Sequence, residues 1–102
     1  MTRDLLVGQH LALLLMGHDE GGNDDWAVLS GTIVEEAGRI LFQHEGGPLH
    51  LSDEWLARIR QCPSEVKSVL LDADVYLPLT VGTLSSKDAA ILEKTNIRWP
   101  SA

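Results

Sequence analysis

Scarcities narrow the chemistry of this chain before any motif is considered. Its single cysteine, Cys62, excludes an internal disulfide and any zinc site built from several thiolates. The aromatic residues are only Trp26, Phe42, Trp55, Tyr76 and Trp99, without a shared set of basic neighbours. A base-stacking platform for single-stranded nucleic acid is therefore a poor fit. Basic residues are few, with 8 Lys and Arg against 15 Asp and Glu, a net charge of −7. Phosphate backbones are held largely by clustered Lys and Arg, so nucleic acid is not an expected partner. The apolar run Leu11–Met16 covers six residues, far short of the roughly twenty that a membrane helix needs. Arg3 is offset by Asp4, no leader or lipidation motif is legible, and no membrane partner is expected. A soluble cytoplasmic protein is the default expectation. G-x-S-x-G, the P-loop, the dinucleotide glycine pattern and H-E-x-x-H are all missing, and no cofactor is expected.

What remains is an ordinary globular composition, 44% hydrophobic and 23% charged over 102 residues. That length suits a single domain, 1–102, with one modest core. Charge is spread unevenly. Residues 1–57 carry ten acids and two bases, whereas residues 58–102 carry five acids and six bases, and no lysine precedes Lys67. An acidic face of this kind steers a basic partner toward it, which makes Asp24, Asp25, Glu35 and Glu36 candidate binding residues. A merely solvated surface is the plainer interpretation.

The clearest element is a hairpin from Trp26 to about Glu45. Ala27, Leu29 and Ile33 share one strand face and Trp26, Val28 and Val34 the other, a β-branched pattern of period two. Gly31 in its middle predicts a bend, a bulge or close backbone approach. Glu35-Glu36-Ala37-Gly38 makes the loop, and Arg39–His44 the return strand. Leu49-His50-Leu51 is a brief further strand. Ser52 then caps a short helix with Asp53 and Glu54 in its first turn, and Pro63 ends it near Gln61. Val66 to Leu84 is expected to be extended, interrupted by Pro78 as an edge, bulge or bend. A last helix is expected from about Lys87 to Lys94 after Ser85, with Asn96 as its stop and Ile97–Pro100 packing back or fraying. Gln9–Gly17 lacks β-branched residues, yet fits better as a strand covered on both faces than as a helix apolar all round. The expected fold class is α+β: a small bent antiparallel sheet, or a partly open barrel resembling SH3-like architectures in shape alone, with one or two short helices.

Among chemistry-bearing residues, the acidic loop from His18 to Asp25 fails the calcium-loop pattern, since Gly21 and Asp24 fall where a ligand and the glycine belong. His10, His18, His44 and His50 lack zinc-helix spacing and are expected at the surface or at strand ends; no metal site is expected. Asp72 and Asp74, two apart on a strand, place both carboxylates on one face with Tyr76, as an acid and base pair or metal oxygens would require. The same spacing describes a solvent face opposite Val69, Leu71, Ala73 and Val75. Cys62, before Pro63 at a helix end, is a small filler rather than a nucleophile.

No catalytic constellation emerges, so the expected function is a non-enzymatic protein-binding or adaptor domain with an acidic face for a basic partner. Self-association as a homodimer or higher assembly is expected because Leu11–Met16 needs cover on two faces, a ground that vanishes if Leu13 or Leu14 is covered within the chain. The alternatives are a small-molecule-binding domain, or a small hydrolase or metal-dependent enzyme using Asp72, Asp74 and a histidine.

Overall fold

Strands form where apolar side chains can line one side of a pleated chain, and here they line both sides of its centre. The fold is seen in a computed structural model that describes residues 3–95 and 100–101. Helix α1 (Arg3–Leu6) leads into β1 (His10–His18), β2 (Asp24–Glu36), β3 (Arg39–His44) and β4 (Gly47–His50). Helix α2 (Asp53–Arg58), the short β5 (Arg60–Gln61), a 3₁₀ turn (Ser64–Val66), β6 (Val75–Thr80), a second 3₁₀ turn (Val81–Thr83) and α3 (Ser86–Leu92) follow. The strands make one six-stranded sheet in the order β4-β3-β2-β1-β6-β5.

The class is α+β, but the sheet is mixed rather than antiparallel. β1 and β6 run parallel, Leu11 opposite Val75 through Met16 opposite Thr80, while the other pairs are antiparallel. Both strands are close to continuously apolar, as suits a parallel pair at the middle of a sheet. Among the described residues no ladder joins β4 to β5, the pairing that a closed barrel would need.

One face of the sheet holds the main core. Leu11, Leu13 and Leu15 lie there beside Leu29, Ile33, Ile40, Phe42, Leu49, Val75, Leu77 and Leu79. The chain covers them itself, with Leu6 of α1, Leu51, Trp55 and Leu56 of α2, Ile59, Leu84, and Ile91 and Leu92 of α3. Leu13 is 0% exposed, so this face offers no ground for a second copy. The two helices that supply most of this cover start as expected: the Ser52 hydroxyl accepts the Trp55 N–H at 3.2 Å, and the Ser85 hydroxyl accepts the Asp88 N–H at 3.1 Å.

β2 changes partners along its length. It pairs with β1 from Asp24 to Thr32 and with β3 from Thr32 to Glu36. Gly31 sits at the handover, where a Cβ would lie 2.7 Å from Phe42 Cε1 and closer still to the Gln43 carbonyl. The expected close approach is thus an aromatic ring and a backbone carbonyl together. At the hairpin turn both Ala37 (φ 53°) and Gly38 (φ 77°) are left-handed, as a two-residue type I′ turn requires. Alanine suits that conformation poorly. Ala37→Asn should stabilise the protein by about 1 kcal/mol and raise Tm by about 5 °C, read by thermal denaturation.

Between Val66 and Asp74 the extended structure expected from alternation is absent. The Leu70 N–H donates to the Val66 carbonyl and the Asp72 N–H to the Lys67 carbonyl, and Leu71 and Asp72 are left-handed at φ 57° and 59°. The strand starts only at Val75, where β1 offers its free edge. Asp74 marks the boundary: its N–H donates to the His10 carbonyl at 3.0 Å and its Oδ2 accepts the His10 N–H at 3.1 Å. β5 spans β6 only at Val75 and Tyr76, so Pro78 sits on an outer edge, its carbonyl accepting from the Arg58 guanidinium at 3.4 Å. Asn96 and Ile97–Trp99 lie outside the described residues. Ser101 does return to the sheet, exchanging two backbone hydrogen bonds of 2.7 Å with His18.

Candidate functional site: an apolar groove on the second sheet face

With α1, α2 and α3 packed on one face, the other is covered, among the described residues, only by the wound segment after Pro63. Ala12, Leu14 and Met16 point there from β1, in register with Ser30, Val28 and Trp26 of β2 and with Tyr76, Pro78 and Thr80 of β6. Leu70 and Ala73 seal one end against Ala12, with Val28, Cys62 and Tyr76 around them. Beyond that seal the cover lifts away. A groove of about 700 Å³ runs between Leu14, Met16 and Trp26 on the sheet and Pro63, Val66 and Val69 on the segment. Trp26 is 54% exposed and Val69 52%. Apolar side chains gathered in one groove differ from the singly scattered ones that any protein surface carries.

Asp24 and Asp25 border the groove where β2 begins, with Tyr76 also lining it; Asp24 shares the strand face of Trp26, whereas Asp25, opposite Gly17, alternates to the other face. Their position follows from the preceding turn. Asp19 Oδ1 accepts the N–H groups of Gly21 and Asn23, each at 2.9 Å, and closes the loop so that Asp24 starts the strand opposite His18. His18 Nε2 is 4.0 Å from Asp24 Oδ1, an exposed contact of little energetic weight. Among the described residues no group of three or more His, Cys, Asp or Glu side chains is placed to hold a metal ion.

The other acidic candidates are elsewhere. Glu35 and Glu36 are exposed at the far end of β2. Glu36 borders a separate cleft of about 490 Å³ that mixes Arg39 and Lys87 with Asp88. Asp72 and Asp74 share no strand face, because the chain between Val66 and Asp74 is wound. Asp72 is exposed in the left-handed turn, and Asp74 is engaged by the His10 backbone beside Cys62, Gln9 and Lys67. The geometry that motivated an acid and base pair at these two positions is therefore missing. Met16 belongs to the run Leu11–Met16 that needs cover on two faces, whereas no sequence pattern marks Val66 and Val69 as binding residues. The available signal was an excess of apolar residues over what one helical layer covers.

His44 departs from the expected surface position, lying at a strand end but buried. Its ring stacks on Phe42 with centroids 5.0 Å apart, and Nδ1 accepts the Gly46 N–H at 3.0 Å. Nε2 is buried without a partner. Burial pushes the imidazole below its ordinary value of 6.5, against a weaker opposite pull from Glu45. The folded state then resists a proton that the unfolded chain accepts. Stability should fall as pH drops from the unfolded pKa toward the lower folded one, and level off beneath it. Urea denaturation between about pH 7.5 and about pH 5 should show that loss in the parent protein and a smaller one in His44→Gln.

Among the described residues no helix is long and apolar enough to cross a membrane. No protein-family model, curated protein or solved structure matches this chain.

Proposed function

We propose that this chain is a non-enzymatic protein-binding domain that takes an apolar segment flanked by Lys or Arg from a partner protein into the groove beside Trp26. The supporting observation is the meeting of exposed Trp26, Met16, Val66 and Val69 with Asp24 on the same strand face at one rim and Asp25 next to it in the chain. Apolar walls supply contact area, and the rim acids select the sign of the partner's charge and speed its approach. Exposed tryptophan is the side chain most often found to dominate such surfaces. A second copy is the less suitable occupant, because two chains of net charge −7 repel one another.

The test uses a fluorescein-labelled peptide of leucine and lysine with the parent protein and two variants. Trp26→Ala should weaken binding by about 30-fold, the loss of one anchor residue. Asp24→Lys with Asp25→Lys should weaken it by about ten-fold at low salt and flatten its salt dependence. Binding indifferent to Trp26→Ala would place the peptide elsewhere and reject the groove as the site.

A further inference from the structure

Resting on the reading just given, we infer that the partner's segment binds as an added β-strand, along the outward edge of β2 from Asp24 to Ser30. β3 accompanies β2 only from Thr32 to Glu36, so between Asp24 and Ser30 the one strand neighbour of β2 among the described residues is β1. The direction of the backbone groups there follows from the ladder. The Ile33 N–H donates to the Gln9 carbonyl and the Ile33 carbonyl accepts the Gly8 N–H, so Ile33 turns both groups toward the β1 side. The register runs without a bulge from Asp24 to Thr32. Alternation therefore turns Leu29 and Ala27 the same way, and the N–H and C=O groups of Trp26, Val28 and Ser30 outward. Among the described residues these outward groups have no hydrogen-bond partner.

Two features make this edge a receptor rather than a bare border. The outer strands of the sheet are guarded. β4 carries Pro48 and β6 carries Pro78 beyond the reach of β5, and proline has no N–H for an incoming strand. From Asp24 to Ser30 there is neither proline nor lysine, the residues that commonly blunt an edge. The second feature is the side chains. Trp26 and Val28 stand on the groove face, and Ala27 and Leu29 on the other, so an added strand meets apolar neighbours on both of its faces. Trp26 belongs to both sites: its side chain lines the groove, and its backbone is part of the open edge.

The edge also defines its occupant. It is closed at one end by the pairing of Thr32 with Gln43, and at the other by the turn at 19–23, so the added strand is short. β-Branched or aromatic residues suit positions opposite Trp26 and Val28. Asp24, exposed and on the face of Trp26, marks the end at which the segment carries Lys or Arg. Main-chain hydrogen bonds supply affinity in such a complex, and alternate side chains supply specificity.

The probe is a peptide that alternates valine and threonine between lysine pairs, with fluorescence anisotropy for binding and amide hydrogen exchange by NMR for its location. In the free protein the amides of Trp26, Val28 and Ser30 should exchange quickly, and those of Ala27 and Leu29 slowly. Saturating peptide should slow Trp26, Val28 and Ser30 by at least about ten-fold, the worth of one hydrogen bond each. Val28→Pro, which removes an outward donor but no bond to β1, should weaken binding by about ten-fold. The exchange measurement uses the parent chain and does not depend on the folding of that variant. Binding that is lost in Trp26→Ala but leaves exchange at these amides unchanged overturns the added strand and keeps the groove as the docking site. Slowed amides with binding indifferent to Trp26→Ala support the added strand and reject the groove. Absence of binding overturns both. Slow exchange of the same amides in a free dimer that Val28→Pro dissociates also overturns the inference, because a second copy would then occupy the edge.

Discussion

Gly31→Ala should destabilise the protein by about 3 kcal/mol, at the upper end of the usual cost of overpacking a core. The added methyl has nowhere to go. It would lie 2.7 Å from Cε1 and 2.9 Å from Cζ of Phe42, and nearer to the carbonyl oxygen of Gln43. Phe42 is fully buried and stacked against His44, so its ring has little room to retreat. The carbonyl belongs to the β3 backbone, which Thr32 and Gln43 hold in register. Urea unfolding should show a lower midpoint with little change in m. Phe42→Leu in the Gly31→Ala background should recover about 1 kcal/mol relative to the sum of the single changes, since it clears the ring but not the carbonyl. A Gly31→Ala protein as stable as the parent would mean that β2 and β3 approach less closely than described.

Leu13→Ala should cost about 4 kcal/mol, because a cavity at this site cannot collapse. Leu13 is 0% exposed and sits on the central strand between Leu29 of β2 and Leu77 of β6. Ladders on both sides hold the backbone, and the helical layer covers it from above. The loss should be the same at low and high protein concentration, with no change in sedimentation. A loss confined to low concentration would instead place Leu13 in an interface between chains.

These two positions also show what a sequence can and cannot reveal. Gly31 was legible because a glycine amid WAVLSGTIV contradicts its neighbours, and a contradiction of that kind signals a local need. Ser52 and Ser85 were legible as caps for the same local reason. Val69 and Leu71 were misleading. Their alternation with Ser68, Leu70 and Asp72 resembles a half-buried strand, yet what decides their fate is the distant attachment of Asp74 to His10. The groove follows from the same blind spot. Trp26 and Met16 have the composition of core residues, and they stay exposed only because α1, α2 and α3 all pack on the opposite face. Of the acidic candidates, Asp24 and Asp25 meet at the groove because a short turn fixes them, whereas Glu35 and Glu36 are carried away by the length of β2.

The parallel pairing of β1 with β6 sets an order of events during synthesis. β1 is the most central apolar strand, but its second neighbour starts only at Val75, after β2, β3, β4 and α2 have left the ribosome. The first four strands can form a meander from contacts between near neighbours, which close quickly. Until β6 arrives, Leu11 to Leu15 present an open apolar edge with unpaired backbone groups, the kind of surface that chaperones bind and that aggregates at high expression. Docking of β6 is the step of longest sequence separation, so it should limit the folding rate. Yield in a cell should therefore respond more to the speed of translation between β4 and β6 than to the final stability of the protein.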